Sequence, residues 1–126
     1  MKMTSMMGKG HKHYKPIQEF ATNNVALDRK LKEACIGLKP CTQHLLMELP
    51  TDEDRELIAN YIIEWANTYG NGIMMSVNTK ISCITSLVYL SRFLHHTKPF
   101  EQMTKEDIID GYLKSIKVVL MTAYEI

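Results

Sequence analysis

Six side chains between Asn78 and Arg92 have the types and spacing to engage a nucleic acid: Asn78, Thr79, Lys80, Ser82, Ser86 and Arg92. An asparagine amide can bond adenine bidentately in the major groove, and a short hydroxyl donates to or accepts from any base edge. Lys80, Arg92 and the nearby Lys98 are of the type that holds backbone phosphates. The stretch from Trp65 to Phe100 contains no Asp or Glu, although 14 acids over 126 residues would put about four in any 36. Acids on a DNA-facing surface would repel phosphate, so their exclusion fits that use. Composition alone leaves two readings open, a DNA-facing surface and a plain solvated one.

Other reactive side chains carry less. His11 and His13 form a His-x-His pair with no third ligand near in sequence, so no metal is expected there. His95 and His96 have no recognisable serine or cysteine partner and read as helix-end or core-edge histidines. Asp52, Glu53, Asp54 and Glu56 crowd a helix start, where acids complement the helix dipole. A Gly-rich phosphate loop, a CxxC pair and an HExxH motif are all missing. Neither catalysis nor a cofactor is expected.

The cysteines Cys35, Cys41 and Cys83 are odd in number and not paired by spacing, which points to free thiols in a reducing compartment. No apolar run approaches the roughly 18 residues of a membrane span. The Lys-rich N-terminus lacks the apolar segment of a secretory signal. The expectation is a cytoplasmic protein with no membrane partner.

The candidate residues sit on one stretch, Ser76 to His96, which reads as a helix capped by Ser76. One face carries Val77, Ile81, Ile84, Leu87, Val88, Leu90 and Leu94; the other carries Asn78, Ser82, Thr85, Ser86, Tyr89, Arg92 and His96. The apolar positions fill two neighbouring stripes, which predicts a central helix packed on more than one side. Upstream, Asn23 or Asn24 caps a helix with Leu27, Leu31, Ala34, Cys35 and Leu38 inward, ended by Gly37 and Pro40. A turn or two over Cys41 to Leu49 follows, with Leu45, Leu46 and Leu49 facing in. Thr51 and Asp54 form a capping-box pattern before an apolar stripe of Leu57, Ile58, Tyr61, Ile62, Trp65 and Tyr69, read as core. Gly70-Asn71-Gly72 ends that helix. Thr104 and Asp107 repeat the capping pattern ahead of Ile108, Ile109, Tyr112, Leu113 and Ile116, read as a further inward stripe. The last ten residues, KVVLMTAYEI, extend that helix or lie against the core.

The pattern predicts an all-α protein, a compact bundle of four to five helices. Residues 1–15 are expected to be a flexible basic arm and residues 16–126 a single helical domain. Net charge is only +1, but residues 1–40 carry +5, residues 41–75 carry −5 and residues 76–126 carry +1. A basic arm suits a polyanion and equally keeps a disordered terminus in solution.

Residues 51–116 resemble the N-terminal core-binding, SAM-like domain of tyrosine recombinases and phage-type integrases. The resemblance runs through LIANYIIEWANTYG, then S-x-x-T opening SVNTKISCITSLVYLSRFL, then Lys98-Pro99-Phe100 and MTKEDIIDGYLKSI. The last two elements are most similar to archaeal members. The resemblance implies a helical domain that clamps duplex DNA, with the S-x-x-T helix in or beside the major groove. Carried over, Asn78, Thr79 and Ser82 become the primary contacts, with Lys80 and Ser86 beside them. Two departures accompany it. The family's further long helix after the KEDI helix is missing or replaced. The family's catalytic residues are not expected in this chain, since Arg29, Arg55 and Arg92 are its only arginines and no His-x-x-Arg occurs.

The function expected is therefore a non-catalytic DNA-binding module, a fragment, a remnant or a stand-alone user of the fold. Strand cleavage by this chain alone is not expected. Its partner is double-stranded DNA, with a homo-oligomer on DNA as a further expectation. The alternative is a small helical interaction or dimerisation protein with no nucleic-acid role, in which the acidic helix start at 52–56 pairs with the basic residues 1–40 of a second subunit.

Overall fold

A computed structural model describes residues 14–124, with side chains through Lys117. Every regular element among them is helical: α1 (Val25–Ala34), α2 (Pro40–Leu46), α3 (Asp52–Thr68), α4 (Val77–Leu94) and α5 (Lys105–Tyr124), with a 3-10 turn at Phe100–Gln102. The all-α expectation holds. His11, His13 and most of the expected basic arm lie outside the described residues. Tyr14 and Lys15 do not: the Tyr14 ring lies 4.9 Å from that of His44, and His44 Nε2 is 2.8 Å from the Lys15 carbonyl oxygen.

Four of the five helix starts are set by a short polar side chain. The Asn24 side chain accepts from the Ala26 and Leu27 N–H groups at the head of α1. Pro40 opens α2 at the position where its missing N–H costs nothing. Thr51 caps α3 through the Asp54 N–H, and Ser76 caps α4 through the Thr79 N–H. At α5 the box is reciprocal: Thr104 Oγ1 accepts from the Asp107 N–H, and the Asp107 carboxylate accepts from the Thr104 N–H. At α3 only half the box forms, because the Asp54 carboxylate is used elsewhere.

Two layers follow. Helix α1 packs on α3, joined at the rim by Lys30 and Glu56 at 2.9 Å. Helix α4 packs on α2 and α5, and more lightly on α3. It is the central helix, as its double stripe requires. Segments 36–48 and 80–92 run parallel: Lys80 reaches the Ile36 carbonyl and Arg92 reaches Glu48 at the same sequence separation of 44. The shared core includes Leu27, Leu31, Leu46, Leu49, Ile58, Ile62, Ile84 and Val88, together with Phe20 and Met75.

Two expected stripes differ from the structure. On α3, Ile58 and Ile62 are buried, but Leu57, Tyr61 and Tyr69 are exposed and Trp65 is half-buried. The small Ala59 and Ala66 face inward instead, which lets α1 approach closely and turns the aromatics outward. They form a surface ladder at four-residue spacing, with Tyr61–Trp65 centroids 5.8 Å apart and Trp65–Tyr69 centroids 5.2 Å apart. On α5, Ile108, Ile109, Tyr112 and Leu113 point outward. The inward side is Gly111 and Ser115. A Cβ at Gly111 would lie 2.2 Å from the Leu94 carbonyl oxygen, so only glycine admits this crossing of α5 over the end of α4. The Ser115 hydroxyl donates to the Phe93 carbonyl.

Candidate nucleic-acid interface

The first turns of α4 present one polar face to solvent. Ser76 Oγ lies 2.9 Å from Thr79 Oγ1 as well as capping the Thr79 N–H, so the two hydroxyls are already ordered at the helix start. Asn78, Thr79, Ser82 and Ser86 are all exposed. With Tyr89 and Phe93 they line one face at steps of three and four residues, the spacing of neighbours on a helix surface. Short side chains let a helix backbone approach a groove, and each of these carries a donor or acceptor.

The expected cations stand differently. Lys80 turns inward: it is 8% exposed and its ammonium donates to the Ile36 carbonyl oxygen at 3.0 Å. That carbonyl lies just past the end of α1, where a cation complements the negative end of the helix dipole. Lys80 therefore holds α4 against the α1–α2 turn instead of reaching phosphate. Arg92 is exposed but ion-paired with Glu48, and its guanidinium lies 5.3 Å from the centroid of the Tyr89 ring. Glu48, from the segment after α2, is the carboxylate that comes to this helix. Lys98 is paired with Asp107 at 2.7 Å. Lys39, at the cap of α2, is exposed.

A second polar cluster has the appearance of catalytic machinery. Asp54 is 1% exposed and its carboxylate accepts from the Phe100 N–H at 2.8 Å and pairs with His96 Nε2 at 3.1 Å. The His96 side chain is itself 2% exposed and stacks on Phe100, with ring centroids 4.0 Å apart. Among the described residues Nδ1 of His96 meets no hydrogen-bond partner, so no nucleophile stands on its far side. The geometry is that of a clamp between the head of α3 and the linker from α4 to α5. Arg55 completes it, donating to Asp52 and to the carbonyls of Met47 and Leu49. Read in sequence, these acids were dipole complements; in the structure Asp52, Asp54 and Glu56 each hold a named cation or donor. Only the capping position of Asp54 was visible beforehand, because the linker that it binds is 42 to 46 residues away.

Cys41 is exposed, whereas Cys35 is buried and Cys83 half-buried. Burial pushes the Cys35 thiol up to about 11, against the pull of the neighbouring Lys80 cation. Burial also raises Cys83. Neither is a thiolate at neutral pH, which removes them as nucleophiles. Among the described residues no three His, Cys, Asp or Glu side chains gather into a metal site. No helix among them is long and apolar enough to cross a membrane.

Comparison of the chain with models of protein families, with curated proteins and with solved structures found no match.

Proposed function

We propose that the chain is a non-catalytic DNA-binding module of the integrase core-binding, SAM-like kind, which lays the exposed face of α4 along duplex DNA. The observation that carries this reading is the coincidence of exposure with composition. Asn78, Thr79, Ser82 and Ser86 are outward on a helix embedded in 36 acid-free residues. Asn78 and Ser82 read base edges, Thr79 and Ser86 follow the groove wall, and Arg92 reaches phosphate by leaving Glu48. Exposed Lys39 is available to the adjoining strand. Lys80 supports the helix from behind, through Ile36. Recombinase chemistry has no part in this reading, since Arg55 is taken up by Asp52 and by the Met47 and Leu49 carbonyls.

Fluorescence anisotropy with a labelled duplex of mixed sequence at low salt tests it. Binding should be at least tenfold tighter than to a neutral polymer control. Asn78→Ala should change the preference among duplexes, whereas Arg92→Ala should weaken all of them alike. No binding above the control overturns the reading. A second reading, an interaction module without nucleic-acid function, is favoured by the outward apolar residues of α5, and that face carries an inference of its own.

A further inference from the structure

We infer that the outward face of α5 is an isologous contact with a second copy of the chain, the two α5 helices running antiparallel. Ile108, Ile109, Tyr112 and Leu113 are each 45–55% exposed. Phe93 of α4 joins them, its ring centroid 5.9 Å from that of Tyr112. This makes a continuous outward patch of large apolar side chains, of the kind that marks a contact surface on a water-soluble fold. The side of α5 that touches its own chain is the narrow Gly111–Ser115 edge.

Charge selects the second copy as occupant. Beside the apolar face, exposed Glu106 and Asp110 lie toward the start of α5 and exposed Lys114 and Lys117 further along. Among the described residues none of the four is in an ion pair, whereas Asp107 is answered by Lys98. Asp110 and Lys117 are seven residues apart, two helical turns, and so share one flank of the apolar face. In an antiparallel helix pair each flank meets the same flank of its partner. A twofold axis passing between Leu113 and Lys114 therefore sets Asp110 against the partner's Lys117, twice. A parallel pair turns this flank toward the α4 side of its partner and leaves the charges unanswered. The contact uses the Phe93 end of α4; Asn78 lies fifteen residues, about 22 Å, away along the helix and stays free.

Sedimentation equilibrium across a wide concentration range tests the contact on the full chain. The expected result is a monomer–dimer equilibrium. Asp110→Lys should weaken it at least tenfold, and adding Lys117→Asp should restore it, since the reversed pair is again self-complementary. Unchanged circular dichroism separates lost association from lost folding. In a Cys41→Ser, Cys83→Ser background, Leu113→Cys should cross-link to its own copy on mild oxidation, while Val25→Cys on α1 should not. Monomer at every concentration overturns the inference; that is also the result if another segment or another protein covers the face. Dimerisation without charge rescue overturns the antiparallel arrangement.

Discussion

Helix α3 reaches the core through Ile58, Ala59, Ile62 and Ala66, and α5 reaches its own chain through Gly111 and Ser115. Both helices have a capping threonine and an apolar stripe in sequence. In α3 the stripe is split: Ile58 and Ile62 go in, Leu57, Tyr61 and Tyr69 go out, and Trp65 lies between. In α5 the large residues go out together. The difference lies in the neighbours. Helix α3 has α1 along its length and a clamp at its head, where Asp54 and Arg55 bind segments on both sides. Among the described residues helix α5 packs chiefly on the end of α4, met at a glycine. A stripe in sequence says that a face will be covered; it does not say by what, and the small residues mark the contact that the chain makes with itself.

Substitutions should divide along this line. The largest effect is expected at the clamp. Asp54→Ala removes a buried acceptor from the Phe100 N–H and from His96, which should cost about 3 kcal/mol in urea unfolding. A loss under about 1 kcal/mol would mean that the head of α3 is no better anchored than α5. Next is Gly111→Val, which places carbon against the Leu94 carbonyl. About 2 kcal/mol is expected, with faster amide exchange confined to α5 because the rest of the core does not depend on it. Exchange spreading into α1 and α3 would break the distinction. Leu113→Glu should change monomer stability by no more than about 0.5 kcal/mol, as for an open surface site. The smallest effect is in acid. The Lys98 ammonium and the Thr104 N–H hold the Asp107 carboxyl down at about 2. A depressed carboxylate stabilises the fold above its unfolded value near 3.8, and that support is lost as pH falls from there through about 2. Protection of the first turn of α5 should fade in this window, and Asp107→Asn should abolish the dependence.

Much of the helix plan was legible because it rests on local chemistry. Asn24, Thr51, Ser76 and Thr104 each announce a helix start within three residues of the groups that they bond. The acid-free face of α4 could also be read, and Asn78, Thr79, Ser82 and Ser86 are outward. Lys80 could not be placed: a lysine on the flank of a helix looks the same whether it meets solvent or a carbonyl 44 residues away. The pairing of Asp54 with His96 was hidden for the same reason. The outward turn of Tyr61 and Tyr69 depends on Ala59 and Ala66, whose small size matters only once α1 lies against them.

If α4 serves as proposed, its face binds duplex DNA both electrostatically and by groove contact. The direct measurement is the salt dependence of duplex affinity. Neutralising about three phosphates, by exposed Lys39 and by Arg92 and Lys98 freed from Glu48 and Asp107, predicts log K falling by about 2.7 per decade of salt. Asn78→Ala should leave that slope intact while lowering affinity for preferred sequences. Affinity that is absent, or flat with salt, would contradict the account.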